Sequence, residues 1–204
     1  MERSQRRARS KVRRLALANE FRWFVTLTLS PEQIDRYDGD EIVRRLGRWC
    51  DNMARRHGLR YILVPERHKD GAFHFHGFFS DAVRVTDSGH TDDHGRKIYN
   101  LPQWTLGFTA AMELYGEYPA AVAYVCKYIG KQDGERPLGR WYYSGGALVE
   151  PRREYVDMDF REMQERPGAY EVEIPGSRMV IVREYMQKEN ESNDKTRNIG
   201  KNDA

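Results

Sequence analysis

Two histidines separated by one residue, His74 and His76, lie in an aromatic-rich stretch over 73–80 that reads as a strand after the turn at Asp70-Gly71. Side chains alternate along a strand. Both imidazoles therefore project from one face, while Phe73 and Phe75 project from the other, toward a core. Two imidazoles side by side make half of a divalent-metal site. Glu66 closes a preceding strand over 61–66, and pairing of the two through a turn at 69–72 brings its carboxylate beside the histidines. Two nitrogens and a carboxylate, with positions left open, suit Mn²⁺ or Mg²⁺ held partly by phosphate oxygens. A pair of partly exposed histidines on a sheet face accounts for the same spacing.

The stretch Tyr124-Val-Cys-Lys127-Tyr128-Ile-Gly-Lys131 carries a second kind of chemistry. At about 100° per residue, Val122, Val125, Cys126 and Ile129 share one helical face; Tyr124, Lys127, Tyr128 and Lys131 share the opposite one. Both tyrosines and both lysines are i,i+4 neighbours. A phenol, with a pKa of about 10, is a poor nucleophile near neutrality. A nearby ammonium favours phenolate and can also hold a phosphate. The set therefore suits attack on a phosphodiester. An ordinary amphipathic helix with a solvated Tyr/Lys face is the plainer alternative.

The elements that must position these residues are legible. A strand spans 22–29. A helix spans 40–57, with Ile42, Val43, Leu46, Trp49, Cys50 and Met53 in one stripe and Gly58 as a stop. A polar hairpin or loop over 83–100 follows the His-x-His strand, then a fourth strand over 104–109. A helix over 120–131 is entered through Pro119. A fifth strand falls at 141–143, and a late hairpin of 170–174 and 179–185 flanks Pro175-Gly176-Ser177. Few helices among many strands give an α+β class with a largely antiparallel sheet. The domain expected over 21–187 lies between a basic arm over 1–20 and a polar, aperiodic tail over 188–204 expected to be disordered.

Composition bounds the function classes. Hydrophobic residues are 39% and charged residues 32% of the 204, enough apolar material for a core. No apolar run approaches the ~18 residues of a membrane span, and no secretory signal is apparent. Cys50 and Cys126 have no disulfide or metal spacing and read as small buried hydrophobes, as in a reducing cytoplasm. Net charge is +3, but Arg3, Arg6, Arg7, Arg9, Lys11, Arg13 and Arg14 cluster at the N-terminus. They form either a phosphate-binding arm or a solubilising tail. His90, Asp92, Asp93 and His94 read as a solvated loop before a DNA-hairpin contact or a second metal site. Trp104, Trp141, Tyr142 and Tyr143 suit core packing before base stacking.

The motifs occur in order behind Phe24-Val-Thr-Leu-Thr28, and this combination resembles the HUH endonuclease superfamily of rolling-circle replication initiators. His74-Phe75-His76 is similar to its metal motif and residues 124–131 to its two-tyrosine motif. The later Gly139-Arg-Trp-Tyr-Tyr-Ser-Gly-Gly resembles phage and plasmid members. The resemblance covers about residues 21–146. It implies a mainly five-stranded antiparallel sheet, related to ferredoxin-like folds, with the histidines on a middle strand. It also implies nicking of single-stranded DNA: a divalent metal on His74, His76 and Glu66 polarises the phosphate, and Tyr128 or Tyr124 forms a 5′-phosphotyrosyl link. Glu66 stands at the variable position of that metal set. Lys127 and Lys131 would steady phosphate or phenolate. The depth of Tyr128 in its helix favours it for the first nick, with Tyr124 resolving the product. The partners implied are single-stranded DNA with an origin hairpin and, in a bacterial cytoplasm, host polymerase and helicase, since no G-x-x-x-x-G-K-[ST] loop occurs. A relaxase or transposase of the same superfamily, a non-catalytic single-strand-binding module and a water-using metallohydrolase are the rival readings.

Overall fold

The computed structural model describes residues 3–114, 118–131, 136–151, 159–165, 170–174 and 177–181. They divide into two units, Met1–Arg152 and Arg153–Ala204. The first contains α1 (Arg3–Ala18), β1 (Trp23–Leu29), α2 (Gly39–His57), β2 (Tyr61–Arg67), β3 (Phe73–Phe79), β4 (Thr86–Thr91), β5 (Lys97–Asn100), β6 (Gly107–Glu113), α3 (Tyr118–Gly130) and β7 (Tyr143–Gly145). The second contains α4 (Phe160–Glu165) and the hairpin β8 (Tyr170–Ile174) and β9 (Ser177–Ile181). Residues 182–185 of the expected late hairpin, and the tail expected at 188–204, lie outside the described residues.

Seven strands form one antiparallel sheet in the order β4-β5-β6-β1-β3-β2-β7. The class is α+β, as expected. The sheet exceeds five strands because the polar hairpin of 83–100 continues it, Tyr99 pairing with Ala111. Alternation sorts the core into two layers. Trp23, Val25, Leu27 and Leu29 of β1 join Phe73, Phe75 and Phe79 of β3 beneath the stripe Ile42, Leu46, Trp49, Cys50 and Met53 of α2. That helix is closed at both ends: Asp38 accepts from the backbone N–H groups of Asp40 and Glu41, and Gly58 takes the left-handed turn at φ 70°. On the opposite face, Phe24, Ile62, Val64 and Phe78 pack under α1 and α3.

Two expected strands shift. The fourth begins at Gly107, not at residue 104, and runs to Glu113. Trp104 instead closes a turn onto the Leu101 carbonyl and drives its ring edge-on against Trp49, with centroids 5.1 Å apart. A core tryptophan on a loop carries the same apolar signal as a strand residue, whereas Thr109–Glu113 became a strand by pairing along β1. The fifth strand begins at Tyr143, because Trp141 turns into the α1/α3 layer and donates to Ser4 Oγ at 3.3 Å.

The N-terminal stretch, expected as an arm outside the domain, is helical over Arg3–Ala18 and buries Gln5, Ala8, Val12, Leu15 and Ala16. Its basic residues mask that apolar stripe in composition.

Close strand approach imposes one strict residue choice. A Cβ on Gly77 would stand 1.9 Å from the Ile62 carbonyl oxygen in the neighbouring strand. Gly77→Ala is expected to lower unfolding free energy by at least ~2 kcal/mol in urea denaturation. Gly47→Ala, on the exposed face of α2 with nothing near its Cβ, is expected to raise it by about 0.5–1 kcal/mol.

Candidate metal centre and tyrosine helix

The β2–β3 register places Glu66 directly opposite His74, and β1 places Thr28 opposite His74 and Thr26 opposite His76. All five side chains share the face that α1 and α3 partly cover. Both imidazoles converge on one carboxylate oxygen: Glu66 Oε2 lies 2.8 Å from His74 Nε2 and 2.9 Å from His76 Nε2. Their ligand atoms lie within 4.8 Å of one another, and this is the one such group of three or more among the described residues. It could hold a metal ion. The donor set fits one. The carboxylate pulls both Nε2 atoms to a common point, and burial with the adjacent His74 pushes the His76 pKa down to about 4. His76 is therefore a neutral imidazole at neutral pH, the form that binds metal. Burial raises the Glu66 carboxyl, but the His74 hydrogen bond and nearby cations, Lys131 among them, outweigh it and hold the group below its ordinary value.

Thr26, in the strand motif but assigned no role from sequence, completes the group. Its hydroxyl lies 3.1 Å from His76 Nδ1. When Nε2 is a ligand, Nδ1 must carry the ring proton, and Thr26 Oγ1 is there to accept it. The signal available in sequence was the alternation of Thr26 and Thr28 with core residues, which puts two small polar side chains on the histidine face.

Helix α3 brings the tyrosines over this group. The Tyr128 ring stacks on the His76 ring, with centroids 3.9 Å apart and planes 10° from parallel. Tyr128 Oη donates to Tyr124 Oη at 2.8 Å. Tyr128 is buried, whereas Tyr124 is 48% exposed. Lys131 Nζ lies 4.5 Å from the Tyr128 ring centroid and 3.4 Å from Glu66 Oε1. Its side chain is largely exposed, so that ion pair contributes little to stability.

The four-residue Tyr/Lys face is therefore divided. Tyr128 lies on one shoulder, against the sheet; Lys127 lies on the other, exposed and without an ion pair or side-chain hydrogen bond among the described residues. Adjacent residues sit ~100° apart, so one helix cannot aim both at the same point. The ammonium was expected to favour phenolate. Instead burial, then the Tyr124 hydrogen bond and the Tyr124 and Glu66 charges, push the Tyr128 pKa well above the ordinary phenol range.

The basic helix α1 packs on α3. Gln5 Nε2 donates to the Ile129 carbonyl at 2.6 Å, and Cys126 Sγ faces the Arg9 carbonyl at 3.7 Å. Arg3, Arg6, Arg7, Arg9 and Arg14 are exposed, Arg13 is half-buried, and Lys11 is half-buried and paired with Glu150. The residues His90, Asp92, Asp93 and His94 sit on the β4–β5 hairpin, where Asp92 is occupied by Arg96 and by its own turn. Trp104 and Trp141 are core residues; Tyr142 and Tyr143 are half-buried against the two layers.

Compared with known proteins, the chain matches the family model for the replication-associated protein ORF2 family over residues 22–133. The match runs from β1 to the end of α3 and so contains every member of the group just described. No curated protein and no solved structure matches it significantly.

His74→Ala and His76→Ala are each expected to abolish Mn²⁺ binding in calorimetry with unchanged far-UV circular dichroism, and Glu66→Ala to weaken it. Thr26→Val, which keeps the strand and loses the acceptor, is expected to weaken binding about tenfold. Full Mn²⁺ affinity in the double histidine variant would exclude this metal centre.

Proposed function

We propose that this chain, which belongs to the replication-associated protein ORF2 family, initiates rolling-circle replication by nicking single-stranded DNA with a tyrosine. The observation that carries the reading is the stacking of Tyr128 on His76, which sets a phenol beside a two-histidine, one-carboxylate group. The ligands would be His74, His76 and Glu66, and the mixed nitrogen and oxygen set suits Mn²⁺ or Mg²⁺. When bound, the ion supplies Lewis-acid polarisation of the scissile phosphate.

The chain's own residues carry the remaining steps. Tyr128 Oη attacks phosphorus; the P–O3′ bond breaks, a 5′-phosphotyrosine forms, and the 3′ oxygen leaves and takes a proton. The phenol proton passes to Tyr124 Oη, which already accepts the Tyr128 hydrogen bond, as Tyr124 gives its own hydroxyl proton to the water it is open to. Lys131, beside both Tyr128 and Glu66, offsets negative charge as it develops. Lys127, on the outer shoulder of α3, meets DNA phosphate away from the reacting centre. The free 3′-OH primes synthesis. Tyr124 then serves the second transfer, one helical turn away. Host helicase and polymerase supply unwinding and synthesis in the bacterial cytoplasm, and the natural substrate is a single-stranded origin region with a hairpin. The exposed arginines of α1 add phosphate contacts that carry no sequence information.

Two outcomes are expected. With Mn²⁺ and its origin strand, Tyr128→Phe loses most of the covalent protein–DNA adduct on gels and Tyr124→Phe loses less. The double variant binds DNA but cleaves nothing, and cleavage by it would overturn the tyrosine mechanism. Because α1 is part of the folded unit, its charge is tested by substitution and not by deletion. The triple variant Arg3→Gln, Arg6→Gln, Arg7→Gln should flatten the dependence of log affinity on log salt by up to about 2, at roughly 0.7 per lost single-strand phosphate contact. An unchanged slope would leave α1 outside the DNA path.

A further inference from the structure

Among the described residues, helices α1 and α3 cover the end of the site face that carries Phe24, Ile62 and Phe78 and leave the other end open. On that open end stands an aromatic ring that the proposed chemistry does not use. Phe108 is 68% exposed. Thr28 of β1 lies opposite both Phe108 of β6 and His74 of β3, and His74 lies opposite Glu66 of β2. Phe108, Thr28, His74 and Glu66 therefore form one row across four neighbouring strands, with their side chains on one face. The adjoining row is Ala110, Thr26, His76 and Val64.

Two strand spacings separate Phe108 from His74, about 10 Å. The strand between them contributes small side chains, Thr26 and Thr28, so the floor from ring to metal group is low among the described residues. Gly107 fixes the position. A Cβ there would stand 2.2 Å from the Thr28 carbonyl, so β6 meets β1 closely at this point and Phe108 is its first side chain on the floor.

Single exposed apolar residues are common and by themselves mean nothing. Phe108 differs in sharing a row with the metal group. We infer that Phe108 stacks on an unpaired base of the single strand whose phosphate is held at Glu66, His74 and His76. Every base offers a π-face, so this contact grips the strand without reading its sequence. It holds a nucleotide beside the scissile phosphate and so positions that phosphate against Tyr128. The inference rests on the proposed reading of the site as one for single-stranded DNA.

The test uses the full chain, Mn²⁺ and a fluorescein-labelled oligothymidylate, with binding read by anisotropy. Phe108→Leu keeps the apolar character and removes the ring. It should bind about tenfold more weakly than wild type, with an unchanged salt slope and unchanged Mn²⁺ affinity, and Phe108→Trp should restore binding. An oligonucleotide carrying 5-iodouracil, irradiated in the complex, should crosslink to the peptide containing Phe108. Equal binding by wild type and Phe108→Leu would overturn the stacking role while leaving single-strand binding standing. A wild type that does not bind the strand would overturn the single-stranded-DNA reading, and the stacking role with it.

Discussion

A single carboxylate oxygen organises the site. Glu66 Oε2 holds both imidazoles within hydrogen-bond distance, and it does so because β2 and β3 pair with Glu66 opposite His74. A slip of one residue in that register would turn Glu66 onto the α2 face while the histidines stayed on the other. The register is therefore worth securing, and the core secures it. Phe73, Phe75 and Phe79 on one face and Phe78 on the other are all buried, so a one-residue slip of β3 would send each ring into the wrong layer. Gly77 lets the two strands approach at the point where any side chain would collide with the Ile62 carbonyl.

The two faces of the sheet are covered unequally, and function follows from that inequality. Helix α2 seals one face with an unbroken apolar stripe. The other carries two helices that seal one end. At their boundary stands Tyr128, which belongs to the apolar layer by burial and to the metal group by its stacking on His76. Burial of this kind fixes the ring and raises the energy of its phenolate. The same burial keeps His76 neutral and able to ligate. Helix α1, tied to α3 through Gln5 and Ile129, steadies the tyrosine helix and presents arginines to solvent from the same element.

Much of this was determined by sequence alone. Apolar runs rich in β-branched and aromatic residues marked β1, β2 and β3, and period-3.6 stripes marked α2 and α3, each within a residue or two, because these segments are buried against their neighbours and their composition records it. His74 and His76 had to share a face, and Glu66 could join them only if the intervening turn made a hairpin; both follow from strand geometry without knowledge of the rest. Tertiary structure decided what depends on contacts between distant segments. Trp104 and Trp141 read as strand residues, yet they are loop residues drawn into the two core layers. The first helix was hidden because its arginines dominate its composition, while its burial stripe needs α3 as a partner to have meaning. Lys127 and Lys131 were equivalent by spacing and became different when α3 settled on the sheet with Tyr128 inward. The sign of the Tyr128 shift was also beyond sequence, since a neighbouring ammonium could be counted along the helix whereas burial against β3 could not. Phe108 was invisible for the same reason: the row it shares with His74 exists only where β6, β1 and β3 lie side by side.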